Sequence, residues 1–288
     1  MKSTRTLLSI AGLFTLLIML NLPAIAQNKL SPKASGLAPV NGLKMYYEVY
    51  GEGKPLVLLH GAFMDIQTAF AELIPSLAKN HKVIAMDLQG HGRTADISRP
   101  FSVEAMADDV AATLRLLKVD SADIIGYSMG GSVAAQVAIR HTALVRKLVI
   151  LSAVFKYEGW GPETRAIFPI ITGEMFEGSP IKQRYEQVAP DPKGWNNFIT
   201  KMKVMITAPY DFTAKMKGLP QPTLIILGDA DGITSEHASE MYHVRGGGQN
   251  GDLAGIPAAQ LAVLPGTSHT GVMMRTDWLL TYITPFIK

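Results

Sequence analysis

The chain has 288 residues, no cysteine and a formal charge of +3, with 48% hydrophobic and 18% charged residues. Without cysteine it can form neither disulfides nor thiolate metal sites, whatever compartment holds it. Lys2 and Arg5 carry two of the positive charges. Without them 25 basic residues face 24 acidic ones, which gives no electrostatic footing for nucleic acid or an anionic membrane surface.

The basic start leads into an apolar run, residues 7–20, and then into Ala24-Ile25-Ala26, small residues at the positions a signal peptidase inspects. The run falls short of the ~20 residues a membrane span needs. Residues 1–26 are therefore expected to be a signal peptide, against the competing reading of an uncleaved anchor. The mature chain would begin at Gln27, periplasmic or extracellular, with no stable membrane association. The remaining 262 residues suffice for one large core, or a core with a small insertion.

Residues 27–40 carry Pro, Ser and Lys without periodicity, as a flexible leader would. Residues 43–50 alternate like a strand and run into the turn Gly51-Glu52-Gly53-Lys54. Two apolar runs, 55–60 and 82–88, read as interior parallel strands. Between them 66–79 has apolar residues at helical spacing, and 102–117 has them more clearly. Strands recur at 122–127, 147–153, 222–228 and 260–265, and the last helix is 277–287. This alternation predicts an α/β fold with a mainly parallel sheet covered on both faces.

The interval 155–219 breaks the alternation. It contains no strong strand yet holds ten of the 22 aromatic residues. A helical cap over the strand ends is expected there, leaving residues 41–154 and 220–288 as the core. Its aromatics, among them Trp160, Phe168 and Trp195, either line a pocket or simply pack the cap. The glycine-rich stretch that begins at Arg245 and ends at Gly251 follows a helix, without the preceding strand a phosphate loop requires, and reads as a flexible surface loop.

Gly126-Tyr127-Ser128-Met129-Gly130 carries the chemistry. The buried strand before it and the alanine-rich helix after it make a sharp turn that would hold Ser128 in a strained backbone, with its hydroxyl beyond the sheet end. Side chains at Gly126 or Gly130 would collide with the neighbouring strand and helix. A serine hydroxyl needs a base, and the base needs an orienting acid. Of seven histidines, His269 lies in a loop beyond the final strand, on the same sheet edge as Ser128. His81 and His141 fall on the opposite edge, and His237 and His243 on a surface helix. In Gly228-Asp229-Ala230-Asp231, Asp231 has the better reach to His269, and Asp229 is the alternative, better placed to bind loop backbone. The oxyanion hole would come from the backbone N–H groups of Met129 and Ala62, with Phe63 as fallback for the latter. Phe63 also belongs to the expected pocket lining. His60, Asp87 and His91 read as turn architecture.

Five motifs stand in the order found in α/β-hydrolases: His60-Gly61, Asp87-Leu88-Gln89-Gly90-His91-Gly92-Arg93, the Ser128 pentapeptide followed by Gly131, Gly228-Asp229-Ala230-Asp231, and Pro265-Gly266-Thr267-Ser268-His269. Over residues 40–287 the chain resembles the capped, single-domain branch that includes microbial carboxylesterases, serine-type haloperoxidases and carbon–carbon bond hydrolases. Gln89 departs from the proline common in the second motif, and the stretch 245–255 is long. The resemblance implies an eight-stranded sheet with strand two antiparallel, and neither cofactor nor metal. It implies a serine hydrolase acting on a small or medium carboxylic ester. Perhydrolase and carbon–carbon hydrolase activities lie within the same class, and a ligand-binding protein without turnover lies outside it. Epoxide hydrolases and haloalkane dehalogenases of this branch carry aspartate where this chain has Ser128.

Overall fold

Eight strands form one sheet in the order β1-β2-β4-β3-β5-β6-β7-β8. In chain order they are β1 (Ala34–Val40), β2 (Leu43–Tyr50), β3 (Lys54–Leu59), β4 (His81–Met86), β5 (Ala122–Tyr127), β6 (Val145–Leu151), β7 (Thr223–Ala230) and β8 (Ala259–Ser268). Strand β2 runs antiparallel to β1 and β4, and every other pairing is parallel. The computed structural model describes residues 30–288, so the expected signal segment 1–26 and its cleavage point lie outside the described residues.

Helices cover both faces. The period of two along each strand sends Val57 and Leu59 to one side, with Ile84, Met86, Ile124 and Ile150, where α3 (Val103–Leu116) and α4 (Met129–Arg140) pack. Leu56, Leu58, Ile125 and Val149 go to the other. There they meet α1 (Ile66–Phe70), α2 (Ile74–Leu77) and Leu279 and Ile283 of the C-terminal helix Thr276–Ile287. All six residues of β5 are buried, so its sequence does not alternate, and its one charged residue, Asp123, is paired with Arg146 at 2.8 Å.

Three local expectations are corrected. Residues 34–40, expected within the flexible leader, are the edge strand β1, paired from Ala34↔Val49 to Val40↔Leu43. The turn is Asn41-Gly42, both at positive φ (48° and 80°), which is the favoured pair for a two-residue hairpin whose twist matches its strands. Ala38 and Val40 point into the core. The helix expected over 66–79 is two short helices, with Asp65 capping α1 through the N–H groups of Gln67 and Thr68, and Pro75 in the first turn of α2. Arg245, expected to open a flexible surface loop, is buried. Its guanidinium donates to the carbonyls of Met216, Leu219 and Gln221, so only the stretch beyond it is exposed.

Between β6 and β7 the chain adds no strand to the sheet. It forms α5 (Pro162–Ile167), α6 (Pro180–Val188), α7 (Trp195–Thr207) and α8 (Thr213–Met216), joined by short 3-10 turns. The buried face of α7 is Trp195, Phe198, Ile199 and Met202, a helical stripe continuous with the core. Ion pairs tie this segment down: Arg184 to Asp65 (2.6 Å), Lys201 to Asp96 (2.7 Å) and Lys156 to Glu240 (2.7 Å). Among the described residues no helix is long and apolar enough to cross a membrane.

Candidate active site

Ser128 sits between the end of β5 and the first residue of α4, with φ 52° and ψ −119°. That conformation costs a non-glycine residue on the order of 1–3 kcal/mol, and the surroundings enforce it. The Ser128 N–H donates to Leu151 of β6 at 2.8 Å, and its carbonyl accepts from Gly131 and Ser132 in the first helical turn. The flanking glycines are sterically required. A Cβ on Gly126 would lie 2.2 Å from the Gly130 carbonyl oxygen, and one on Gly130 would lie 2.1 Å from that of Leu59.

Parallel strands deliver the next two groups to the same edge. His269 follows β8, and its Nε2 is 3.0 Å from the Ser128 hydroxyl. Asp231 follows β7, and its Oδ1 is 2.8 Å from His269 Nδ1. A carboxylate can only accept, so Nδ1 carries the hydrogen and Nε2 is left to accept from Ser128. The Asp231 side chain has no solvent exposure and that of His269 has 26%. Burial pushes the Asp231 carboxyl upward. The hydrogen bond and charge of His269, with smaller contributions from the Ser152 hydroxyl and the Ile233 N–H, outweigh it and hold the group below its ordinary value. Asp229 points elsewhere: it is exposed and accepts from the Thr267 N–H at 3.0 Å, which lowers its pKa.

The loop after β3 passes beside the serine, for a Cβ on Gly61 would stand 3.3 Å from Ser128 Cβ. Ala62 and Phe63 follow, both half-buried, and Phe63 takes a left-handed φ of 62° that folds the loop back. Met129 is the first residue of α4, so its N–H has no acceptor within the helix. His60 is wholly buried; its Nε2 accepts from the Leu88 N–H and its Nδ1 donates to the Gly61 carbonyl, and burial lowers its pKa. Asp87 accepts from the N–H groups of Ile66 and Arg93 and is pushed up to about 7 by burial. His91, lowered to about 3 by burial, donates to the Gln89 carbonyl. Gln89 in turn binds Asp96 and the Arg99 carbonyl.

Two residues escaped the sequence reading. Tyr127 donates its hydroxyl to the His269 carbonyl (3.1 Å) and lays its ring 5.4 Å from the imidazole. Its position immediately before Ser128 is the signal. His237, expected on a surface helix, is buried, with Nε2 accepting from the Phe155 N–H at 3.0 Å and Nδ1 paired with Glu240 at 2.8 Å.

The expected lining residues divide. Trp160 stands edge-on to His269, 5.3 Å between rings, and Phe168 packs on Trp160 at 5.6 Å. Phe63 meets Phe176 and Phe198 at 5.4 and 5.9 Å. Trp195 is 3% exposed, enclosed by Phe176, Tyr185 and Phe198, with its indole N–H on the Gly173 carbonyl, which favours the packing side of the two uses expected of it. Its place on the buried stripe of α7 explains this. Trp195→Ala should therefore lower stability by roughly 3–5 kcal/mol in denaturant titrations and leave any ligand preference unchanged. A cleft of about 610 Å³ opens between the 90–101 loop and helices α6 and α7, lined by Phe101, Tyr185 and Lys201 among others; Ser128, Asp231 and His269 do not line it. Among the described residues no cluster of His, Asp and Glu could hold a metal ion.

A family model described as alpha/beta hydrolase fold matches residues 54–180. The chain is 38% identical over 117 residues to a soluble epoxide hydrolase from Corynebacterium sp. (strain C12), a match that covers 41% of each chain. It therefore spans about two fifths of that relative's length. It is 24% identical to a non-heme haloperoxidase from Rhodococcus erythropolis, over 86% of this chain and 97% of the relative. The structure of a meta-cleavage product hydrolase from Pseudomonas fluorescens IP01 superposes with a TM-score of 0.69 at 23% identity, covering 88% of this chain and 97% of that one.

Proposed function

We propose that this chain, an α/β-hydrolase by fold, is an exported serine hydrolase that cleaves a small or medium carboxylic ester through an acyl-enzyme. The observation that carries the reading is the unbroken hydrogen-bonded chain from the Ser128 hydroxyl through His269 to buried Asp231. In this reading His269 takes the serine proton as Ser128 attacks the ester carbonyl. Asp231 fixes the imidazole tautomer and stabilises the imidazolium. The N–H groups of Ala62 and Met129 receive the charge that develops on the carbonyl oxygen. His269 then protonates the leaving alcohol, and water releases the acid by the reverse path.

The epoxide hydrolase likeness does not transfer. Attack of a serine on an epoxide would leave an ether, which has no carbonyl for water to attack, whereas attack on an ester leaves an acyl-enzyme that water can open. The near full-length likeness to a haloperoxidase supports a second reading, in which peroxide rather than water intercepts the same acyl-enzyme.

The test is a screen of the purified mature chain against esters of increasing acyl length, with and without peroxide, and with Ser128→Ala as control. Turnover that Ser128→Ala abolishes is the expected result. Tight ligand binding without turnover, unaffected by that substitution, would instead make the chain a binding protein. Phe168→Ala should widen acceptance toward bulkier acyl groups. The shift should be gradual, because an apolar pocket discriminates by only about 1–3 kcal/mol per methylene. An unchanged acyl profile would remove residues 155–219 as the specificity element.

Export rests on residues 1–26. Mass spectrometry of the protein recovered from a bacterial host should find Gln27 at the N-terminus. Full-length chain recovered from membranes would overturn that part of the proposal.

A further inference from the structure

Ser152 directly follows β6 and holds a left-handed backbone, φ 47°, a conformation that glycine adopts without strain and serine does not. Its N–H donates to the Ile226 carbonyl of β7 at 2.8 Å, and the residue is 1% exposed. The hydroxyl therefore has no route to solvent, and it makes no closed hydrogen bond of its own. Asp231 presents the complementary situation. Its Oδ1 accepts from His269 and from the Ile233 N–H, while Oδ2 is equally dry and equally unpartnered. The two groups leave the same sheet edge side by side, Ser152 one residue beyond β6 and Asp231 one residue beyond β7, strands paired up to Leu151↔Ile226; consistent with this, the Ser152 hydroxyl helps to hold the Asp231 carboxyl below its ordinary value.

A dry donor beside a dry acceptor, each lacking another partner, is a matched pair. A buried carboxylate oxygen left unpartnered has its desolvation uncompensated, which favours closure. The backbone at position 152 gives no reason for a Cβ, so the side chain supplies the reason.

We propose that Ser152 is a positioning residue that donates its hydroxyl hydrogen to Oδ2 of Asp231 and so fixes the plane of the carboxylate whose other oxygen orients His269. The proposal rests on the Ser128–His269–Asp231 reading above. Held by one oxygen, the carboxylate could turn about Cβ–Cγ and swing Oδ1 out of line with Nδ1; held by both, it cannot.

Ser152→Ala and Ser152→Gly both delete the hydroxyl, but only glycine relieves the backbone. Both variants should lose about tenfold in kcat on an activated ester, equivalent to ~1.4 kcal/mol, with KM within twofold. Their thermal midpoints should separate, with glycine the higher. In an Asp231→Asn background Ser152→Ala should cost nothing further, because the group it acts through is gone. The low-field proton resonance of His269 Nδ1 should also move in Ser152→Gly. Unchanged kcat in both serine variants, while Asp231→Asn falls by orders of magnitude, would overturn the proposal. A further loss in the Asp231→Asn background would do the same, by making Ser152 a structural residue only. Undiminished turnover of Asp231→Asn itself would instead sink the triad reading.

Discussion

Asp231→Asn is expected to lower turnover about 10⁴-fold and leave the fold intact, by analogy with loss of the acid in other Ser-His-Asp sites. The carboxylate accepts from His269 Nδ1 at 2.8 Å inside a dry pocket. An asparagine can turn its amide N–H toward that nitrogen, which forces the other tautomer. Nε2 then carries a hydrogen and can no longer accept from Ser128. Asp229→Asn should leave turnover near that of the parent, because Asp229 is exposed and engages only loop backbone. The check is kcat on an activated ester for both variants, with circular dichroism to establish folding. If Asp229→Asn proved the more damaging, Asp231 would lose its assigned role.

The second large effect is steric. Gly130→Ala places a Cβ 2.1 Å from the Leu59 carbonyl oxygen and 2.5 Å from that of His60; Gly126→Ala places one 2.2 Å from the Gly130 oxygen. These neighbours are backbone atoms at the end of β3 and in the first turn of α4, so no rotamer can relieve the contact. Overpacking where side chains can move costs about 1–3 kcal/mol, and here the upper end is a minimum. Each substitution should lower the thermal midpoint by at least roughly 6–12 °C, or prevent recovery of folded protein. Gly246→Ala is the control, because it adds a Cβ that meets nothing within 4 Å and carries only the strain of its positive φ. A Gly130→Ala protein that melts with the parent would mean that the turn at Ser128 is built differently.

What could be read in advance follows a physical pattern. The buried ends of strands such as β3 and β6, residues 56–59 and 148–151, write themselves as apolar runs. The glycines at 126 and 130 mark a turn that no other residue fits. These signals are local, and they located Ser128 and the sheet. Strand β1 was obscured because only Ala38 and Val40 enter the core, and Gly36 and Pro39 dilute the alternation. The Asn41-Gly42 turn was the better clue. His237 and Arg245 misled for the opposite reason. Their partners, the Phe155 N–H and the carbonyls at 216, 219 and 221, are far away in sequence, and a charged or titratable side chain reads as exposed until such partners are known. Trp195 could not be assigned to pocket or packing from composition alone, because both uses call for an aromatic.

The order of the strands has a consequence for synthesis. Ser128 emerges from the ribosome well before Asp231, and His269 follows only after β8, at the far edge of the sheet from β1. At roughly 5–20 residues per second, the nascent chain spends about 7–28 seconds with its serine present and its imidazole not yet made. On the proposed reading, a chain interrupted anywhere before residue 269 would lack its base and stay inert toward an ester however well its earlier strands had paired, so the hydroxyl would be armed only by the last strand to arrive.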